Sequence, residues 1–185
     1  LHPIPRRQRQ MCIRDSMNIV IIGSGGREHA LCYKLLKSSK INKIYCIPGN
    51  AGTDEIATNI FADINDFDEI YKIVLRLNVE LIVVGPEIPL VNGIVDYFEK
   101  KNIKIFGPNK KCSQLEGSKF FMKNICKKYN IPSAKYFEIS DINQIEKFLS
   151  SVSFPVVVKS DGLAAGKGVT ICNNLDEVIK DVQEI

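Results

Sequence analysis

Asn18-Ile19-Val20-Ile21-Ile22-Gly23-Ser24-Gly25-Gly26-Arg27-Glu28 sets a pattern that the segments after it repeat. The β-branched run reads as a buried strand and the glycine cluster as a turn. Residues 27–37, with Leu31, Cys32, Leu35 and Leu36 at apolar positions, read as a helix. Such a turn points free N–H groups, and the positive end of a helix dipole, at whatever anion lies there. The dinucleotide fingerprint G-x-G-x-x-G is met only in part, because Glu28 occupies its third glycine position. That fingerprint also needs a carboxylate at the end of the second strand, for the ribose hydroxyls. Here the second strand, residues 43–47, runs into Pro48-Gly49-Asn50-Ala51-Gly52, and no carboxylate follows before Asp54. A nicotinamide-dependent oxidoreductase is therefore disfavoured.

The alternation continues. Asp66 is placed to cap a helix carrying Ile70, Ile73, Val74 and Leu77 on one face. Residues 80–84 form a third strand, Val91, Ile94, Val95 and Phe98 stripe a third helix, and residues 103–106 form a fourth strand. Strand and helix in strict turn predict an α/β fold, an open parallel sheet wrapped on both faces. Ligands of such sheets sit beyond the carboxyl ends of the strands. The loops there are 23–27, 48–52, 85–89 and 107–109, and Glu87 is their lone carboxylate. It suits an amine or a ribose hydroxyl; the plainer reading is a capping or solvated residue at a helix start.

A second unit begins near Glu116. Ser118 is placed to cap a helix striped by Met122, Ile125, Cys126 and Tyr129, which Pro132 ends. Residues 135–139 read as a strand. Asp141 precedes a helix with Ile142, Ile145, Phe148 and Leu149 inward, and Leu175, Val178, Ile179 and Val182 mark a last helix. Between these two helices lies Phe154-Pro155-Val156-Val157-Val158-Lys159-Ser160-Asp161-Gly162-Leu163-Ala164-Ala165-Gly166-Lys167-Gly168-Val169. A short buried strand ends in Lys159, a loop of small residues follows, and a second strand leaves it over 169–172. Glycines allow close backbone approach to an anion, and the lysines supply point charges suited to phosphate. The phosphate-binding P-loop does not fit, since only Leu163, Ala164 and Ala165 separate Gly162 from Gly166, and Gly168 follows Lys167. A solvated hairpin with incidental lysines is the plain alternative, weakened by the cost of a lysine closing a buried strand.

At 185 residues and 45% hydrophobic content the chain can bury one substantial core or two modest ones. A net charge of +4 suits small anions and makes no case for nucleic acid or a membrane surface. No apolar run reaches the roughly 18 residues of a membrane span. Six scattered cysteines without a C-x-x-C pair read as reduced core residues of a cytoplasmic protein. Two histidines argue against a histidine-rich metal site. Residues 1–16, with prolines and an arginine cluster but no period, read as a non-native or disordered leader, with Met17 as the start.

Six motifs now stand in order: Gly23-Ser24-Gly25-Gly26-Arg27-Glu28-His29-Ala30-Leu31, Pro48-Gly49-Asn50-Ala51-Gly52-Thr53, Val84-Gly85-Pro86-Glu87-Ile88-Pro89-Leu90, Ile105-Phe106-Gly107-Pro108, Leu115-Glu116-Gly117-Ser118-Lys119, and the run from Lys159 to Val169. Together they resemble the phosphoribosylamine–glycine ligases of the ATP-grasp superfamily, from Met17 to the last residue. The resemblance implies a Rossmann-like substrate domain over 17–116, then the first α+β lobe of an ATP-grasp domain over 117–185. It implies an ATP-dependent ligase of purine biosynthesis in which the glycine carboxylate attacks the γ-phosphate, and phosphoribosylamine captures the glycyl phosphate. Positioning, charge neutralisation and a closing loop are what such chemistry needs.

Carried over by position, the resemblance makes Lys119 and Lys159 the lysines on the nucleotide phosphates, Lys159 with the catalytic role. It makes Asp161, Gly162, Leu163, Ala164, Ala165, Gly166, Lys167 and Gly168 the loop over the ATP. Gly25, Gly26, Arg27, Glu28, Asn50 and Glu87 resemble the phosphoribosylamine side. Lys119 has a plain reading too, as an exposed first-turn helix residue. Ser160 replaces the usual alanine, a small change. The Mg²⁺ or Mn²⁺ ligands, the adenine-contacting strand and the rest of the glycine site are expected beyond Ile185, which makes these residues a fragment inactive alone. The expected partners are ATP, glycine and phosphoribosylamine, for a cytoplasmic monomer. Another ATP-grasp ligase of the purine pathway and a catalytically inactive nucleotide-binding module are the alternatives.

Overall fold

The computed structural model describes residues 16–150, 152–163 and 168–184, the side chains of Ile142 and Glu146 excepted. The leader expected over 1–16 thus lies outside the described residues but for Ser16, as do Ala164, Ala165, Gly166 and Lys167. The chain divides into two compact units, Leu1–Ser113 and Gln114–Ile185.

The first unit is built on a five-stranded, wholly parallel sheet. Its strands are β1 (Met17–Gly23), β2 (Ile41–Pro48), β3 (Thr58–Asn59), β4 (Val79–Val84) and β5 (Ile105–Phe106), in the order β3-β2-β1-β4-β5. The central strand explains its own sequence. Val20 and Ile22 face one core, with Ile70, Ile73 and Val74 of helix α3 (Phe67–Arg76) and Ile94, Val95 and Phe98 of α5 (Ile94–Glu99). Ile19 and Ile21 face the other, with Cys32 of α1 (Gly26–Leu35), Ile44, Cys46 and Val83. A strand covered on both faces requires a continuous apolar run, and each such side chain stabilises the fold by about 1.5–3 kcal/mol. Asp66 caps α3 as its sequence predicts, its Oδ1 accepting from Glu69 N at 2.9 Å.

Three details depart from the sequence reading. β3 is an additional strand, pairing Thr58 and Asn59 with Tyr45 and Cys46, so residues 79–84 form the fourth strand. The helix striped by Val91 to Phe98 is two helices, α4 (Glu87–Asn92) and α5, broken at Gly93. Gly93 takes φ +98, a left-handed conformation that ends a helix and that other residues reach only with strain. The last strand is two residues long rather than four.

The order places β1 between β2 and β4. The chain builds outward from β1 on one side, then crosses to build β4 and β5 on the other. The carboxyl ends of β1 and β4 are therefore the topological switch point, where open parallel sheets hold their ligands.

The second unit carries α7 (Lys119–Lys128), a 3₁₀ turn (Ile142–Gln144) running into α8 (Ile145–Leu149), an antiparallel hairpin of β6 (Val156–Lys159) and β7 (Val169–Cys172), and α9 (Leu175–Glu184). The boundary between the two units falls within a helix α6 (Lys110–Gly117). The core of the second unit is small: Ile145, Cys172 and Val178, with Val156, Val158, Leu175, Ile179 and Val182 packed around them. Residues 135–139, expected as a strand, form none. Side chains hold the segment instead: Tyr136 Oη donates to Asn124 Oδ1 at 3.2 Å, Lys123 Nζ lies 5.5 Å from the centre of the Tyr136 ring, and the Phe137 ring stacks on Phe148 at 4.8 Å. The expectation of a buried β6 is also corrected. Val156 and Val158 face the core, while Val157 and Lys159 face outward beside Val169 and Ile171. Lys159 therefore costs no desolvation, and burial is not what marks it.

Candidate functional site

At the switch point the structure brings together five of the six residues read from sequence, and Asn50 ties them to the neighbouring loop. Gly25 and Gly26 are exposed at the turn, and Gly25 precedes the first residue of α1. Glu28, at the third helical position, folds back so that its Oε2 accepts from Gly25 N at 2.6 Å. This is half of a capping box, satisfying a donor that the helix start leaves open. Its Oε1 accepts from Arg27 Nε at 3.2 Å. Arg27 reaches on across the crevice, Nη1 donating to Glu87 Oε1 at 3.1 Å. A chain of charge thus runs Glu28–Arg27–Glu87, from the β1 turn to the first residue of α4.

Burial separates the three. Glu28 is 3% exposed, whereas the side chains of Arg27 and Glu87 are 57% and 43% exposed. The sequence reading set Glu28 beside Arg27 as a substrate contact; the structure turns its carboxylate inward under the loops. The hydrogen bonds that Arg27 donates to Glu87 first, then to Glu28, raise its affinity for its proton above the ordinary value. The Glu87 carboxyl is held below its ordinary value by a backbone N–H and then by Arg27.

Asn50 works as a tie. Its Oδ1 accepts from Thr53 N at 2.9 Å, capping the short helix α2 (Ala51–Asp54), and its Nδ2 donates to Ser24 O at 2.8 Å and Gly25 O at 3.2 Å. Asn59 Nδ2 donates to Asn50 O at 2.8 Å, and Thr53 Oγ1 lies 2.7 Å from Asn59 Oδ1. The sequence reading gave neither Thr53, though it quoted it in a motif, nor Asn59 a place in the site. The Asn-x-x-Thr spacing of a helix cap could have signalled Thr53, whereas Asn59 sits in a strand too short to notice.

In the second unit the residues around the hairpin form another cluster. Ser118 caps α7, its Oγ accepting from Phe121 N at 3.1 Å and donating to Asp161 Oδ2 at 2.9 Å. Asp161 Oδ1 accepts from Lys119 N at 2.6 Å. Lys119 Nζ donates to Ser160 O at 2.7 Å and Gly162 O at 2.9 Å. Lys119 thus grips the loop's backbone on both sides of Asp161, and the carboxylate sits on the positive end of α7. Burial raises the Asp161 pKa, but hydrogen bonds from Ser118 and from the N–H groups of Lys119, Gly162 and Phe120 outweigh it and hold it low. Lys159 ends β6 opposite Val169, and Ser160 N donates to Gly168 O at 3.1 Å, closing the loop's two ends together. Gly162 and Leu163 lie at the described edge of that loop.

Among the described residues no group of three His, Cys, Asp or Glu side chains is placed to hold a metal ion. Five free cysteines are described; Cys32, Cys46 and Cys172 are buried, Cys126 is partly so, and Cys112 is exposed, unlike the core position expected. No helix among the described residues is long and apolar enough to cross a membrane.

A parallel sheet with its ligand crevice at the β1/β4 switch, followed by a lysine-bearing hairpin, defines the class of ATP-grasp proteins with a preceding α/β domain. Residues 17–116 match the family described as phosphoribosylglycinamide synthetase, N domain, and residues 117–185 the phosphoribosylglycinamide synthetase ATP-grasp (A) domain. The chain belongs to the phosphoribosylglycinamide synthetase family. It is 43% identical over 169 residues to a phosphoribosylamine–glycine ligase of Caldanaerobacter subterraneus, covering 91% of this chain and 40% of that protein. It is 44% identical over 167 residues to the enzyme of that name from Clostridium acetobutylicum, covering 89% of this chain and 40% of the relative. The crystal structure of phosphoribosylamine–glycine ligase from Thermotoga maritima superposes with a TM-score of 0.68 at 32% identity, covering 88% of this chain and 38% of that one. The chain thus spans about 40% of the length of the curated relatives it matches.

Proposed function

We propose that these residues serve an ATP-dependent ligase that joins glycine to 5-phosphoribosylamine, giving glycinamide ribonucleotide, ADP and phosphate. The observation that carries this reading is the pair of consecutive family matches, together spanning residues 17–185. In this reading a glycine carboxylate oxygen bonds to the γ-phosphorus of ATP as the bond to ADP breaks. The amine nitrogen of phosphoribosylamine then bonds to the carbonyl carbon, phosphate leaves, and the amine gives up a proton.

Each unit has a part in this. Lys159, exposed at the mouth of the loop, neutralises nucleotide phosphate charge. Lys119 and Asp161 serve that site by fixing the loop base to α7. On the other unit Arg27 takes the anionic sugar phosphate, and Glu87 takes the amine or a ribose hydroxyl. The turn at Gly25 and Gly26, tied down by Asn50, offers N–H groups at a helix start. A divalent cation would neutralise charge on the phosphate oxygens; the described residues offer no ligand set for it, and no step is assigned to it. The partners in this proposal are these small molecules, for a monomer that binds no nucleic acid. A cytoplasmic location agrees with the free thiols.

The test is an assay of the full-length protein with heavy-oxygen glycine. ADP release that depends on both glycine and the amine, with the label carried into phosphate, is the expected result. ADP release without glycine, or phosphate without label, would overturn the reading.

A further inference from the structure

The Glu28 carboxylate is the one buried acidic group of the switch-point cluster, and its two oxygens serve different loop atoms. One holds the Gly25 amide and the other the Nε edge of Arg27. Only the second oxygen is unexplained by helix capping, since a capping residue needs just one acceptor. A buried carboxylate is costly unless its bonds are satisfied, so keeping one here fixes its partners in place. Arg27 is otherwise an exposed side chain with several rotatable bonds. Held at Nε by Glu28 and at Nη1 by Glu87, it presents its remaining N–H donors from a set orientation.

We propose that Glu28 is a positioning residue: it does not touch substrate, but pins the turn through the Gly25 amide and orients the Arg27 guanidinium that receives the phosphorylated sugar. The proposal rests on the reading of this crevice as the sugar-phosphate side. Glu28→Gln is the discriminating change. A glutamine oxygen still accepts from Gly25 N, so the cap is kept, but its amide N–H₂ then meets the Arg27 Nε–H, donor against donor.

The experiment uses the full-length protein and ribose 5-phosphate, which keeps the sugar phosphate and lacks the amine. Two readouts are taken: the affinity by calorimetry, and the Arg27 Nε–H proton by NMR without ligand. In the parent chain that proton is expected to be shifted downfield and protected from exchange. Glu28→Gln should abolish both features and weaken ribose 5-phosphate about tenfold, the worth of one charge-assisted hydrogen bond. Glu28→Asp, which keeps the charge on a shorter arm, should recover part of the affinity. Unchanged protection of Arg27 Nε–H in Glu28→Gln overturns the positioning role, whether or not ligand binds. Lost protection with unchanged affinity overturns it too. If the parent chain binds no ribose 5-phosphate, the reading of the crevice falls, while the Nε–H signal still reports whether Glu28 orients Arg27. Should Glu28→Gln not fold, Arg27→Lys substitutes, keeping the charge without the Nε edge. Affinity equal to the parent's then overturns the proposal, and a loss of about tenfold upholds it.

Discussion

Glu28 Oε1 lies where a side chain at residue 85 would project: a Cβ built on Gly85 would stand 1.9 Å from it. The glycine that follows β4 is therefore there to admit the carboxylate of α1. Gly85→Ala should cost about 1–3 kcal/mol, the usual range for forcing atoms into a packed place. In a Glu28→Ala background the same change should cost measurably less, a coupling of about 0.5–3 kcal/mol in a urea-melt cycle. Additive effects would mean that the two residues do not compete for that space.

The ion pair of Arg27 and Glu87 sets a pH dependence with a definite sign. Glu87 is held below its ordinary value, so the stability it contributes is complete above the normal glutamate range, about pH 4.3. That stability is lost as pH falls through the lower folded value. Arg27→Met should raise the Glu87 midpoint, followed by NMR of its carboxyl carbon. A midpoint that stays put would assign the whole shift to the backbone N–H.

Ser118 serves two masters, the α7 cap and Asp161. Ser118→Ala should cost about 1 kcal/mol of stability, as N-cap losses do. It should also move the Asp161 titration upward, because one of the bonds that outweigh its burial is gone. As for Glu87, the stability tied to Asp161 is present at neutral pH and lost as acid protonates it. Loss of stability with no movement of Asp161 would separate the two roles.

In the full-length protein Lys159→Ala should weaken ATP about tenfold or more, the scale of a charge-assisted contact to phosphate. Lys34→Ala, on the exposed face of α1, should leave ATP affinity as it was. Equal effects would take Lys159 out of the nucleotide site.

Cys32 Sγ and Cys46 Sγ lie 3.1 Å apart, both fully buried, and burial raises the pKa of each. Thiolates, not thiols, react. A maleimide pulse on the native chain, read by peptide mass mapping, should mark Cys112 and spare this pair. Rapid labelling of Cys46 would show that β2 opens.

Much of the fold was legible because burial leaves a period. The β-branched runs of β1 and β4, the Asp66 cap and the stripe of α9 each carry their cause in the residues themselves. What escaped has a physical reason in each case. Thr58–Asn59 is a strand only because Tyr45 and Cys46 offer a ladder, which no local pattern announces. Residues 135–139 alternate like a strand, yet lysine and ring contacts hold them, not backbone pairing. Gly93 inside a helical stripe could bend, break or be tolerated, and only the left-handed backbone decides. At the candidate site the residue types were legible, and their division of labour was not. A buried glutamate and an exposed one look alike in sequence; Glu28 and Glu87 differ in which way the chain turns them.

The hairpin that bears Lys159 consists of two strands, a number that seldom stands alone in water. Its inner face rests on α9, to which Thr170 Oγ1 is fastened by a 2.6 Å bond to Asp181. Clipping the chain just after β7 would leave that ammonium on a ribbon with nothing to lie against, and melting of the hairpin would then displace Lys159 without any change to its own side chain.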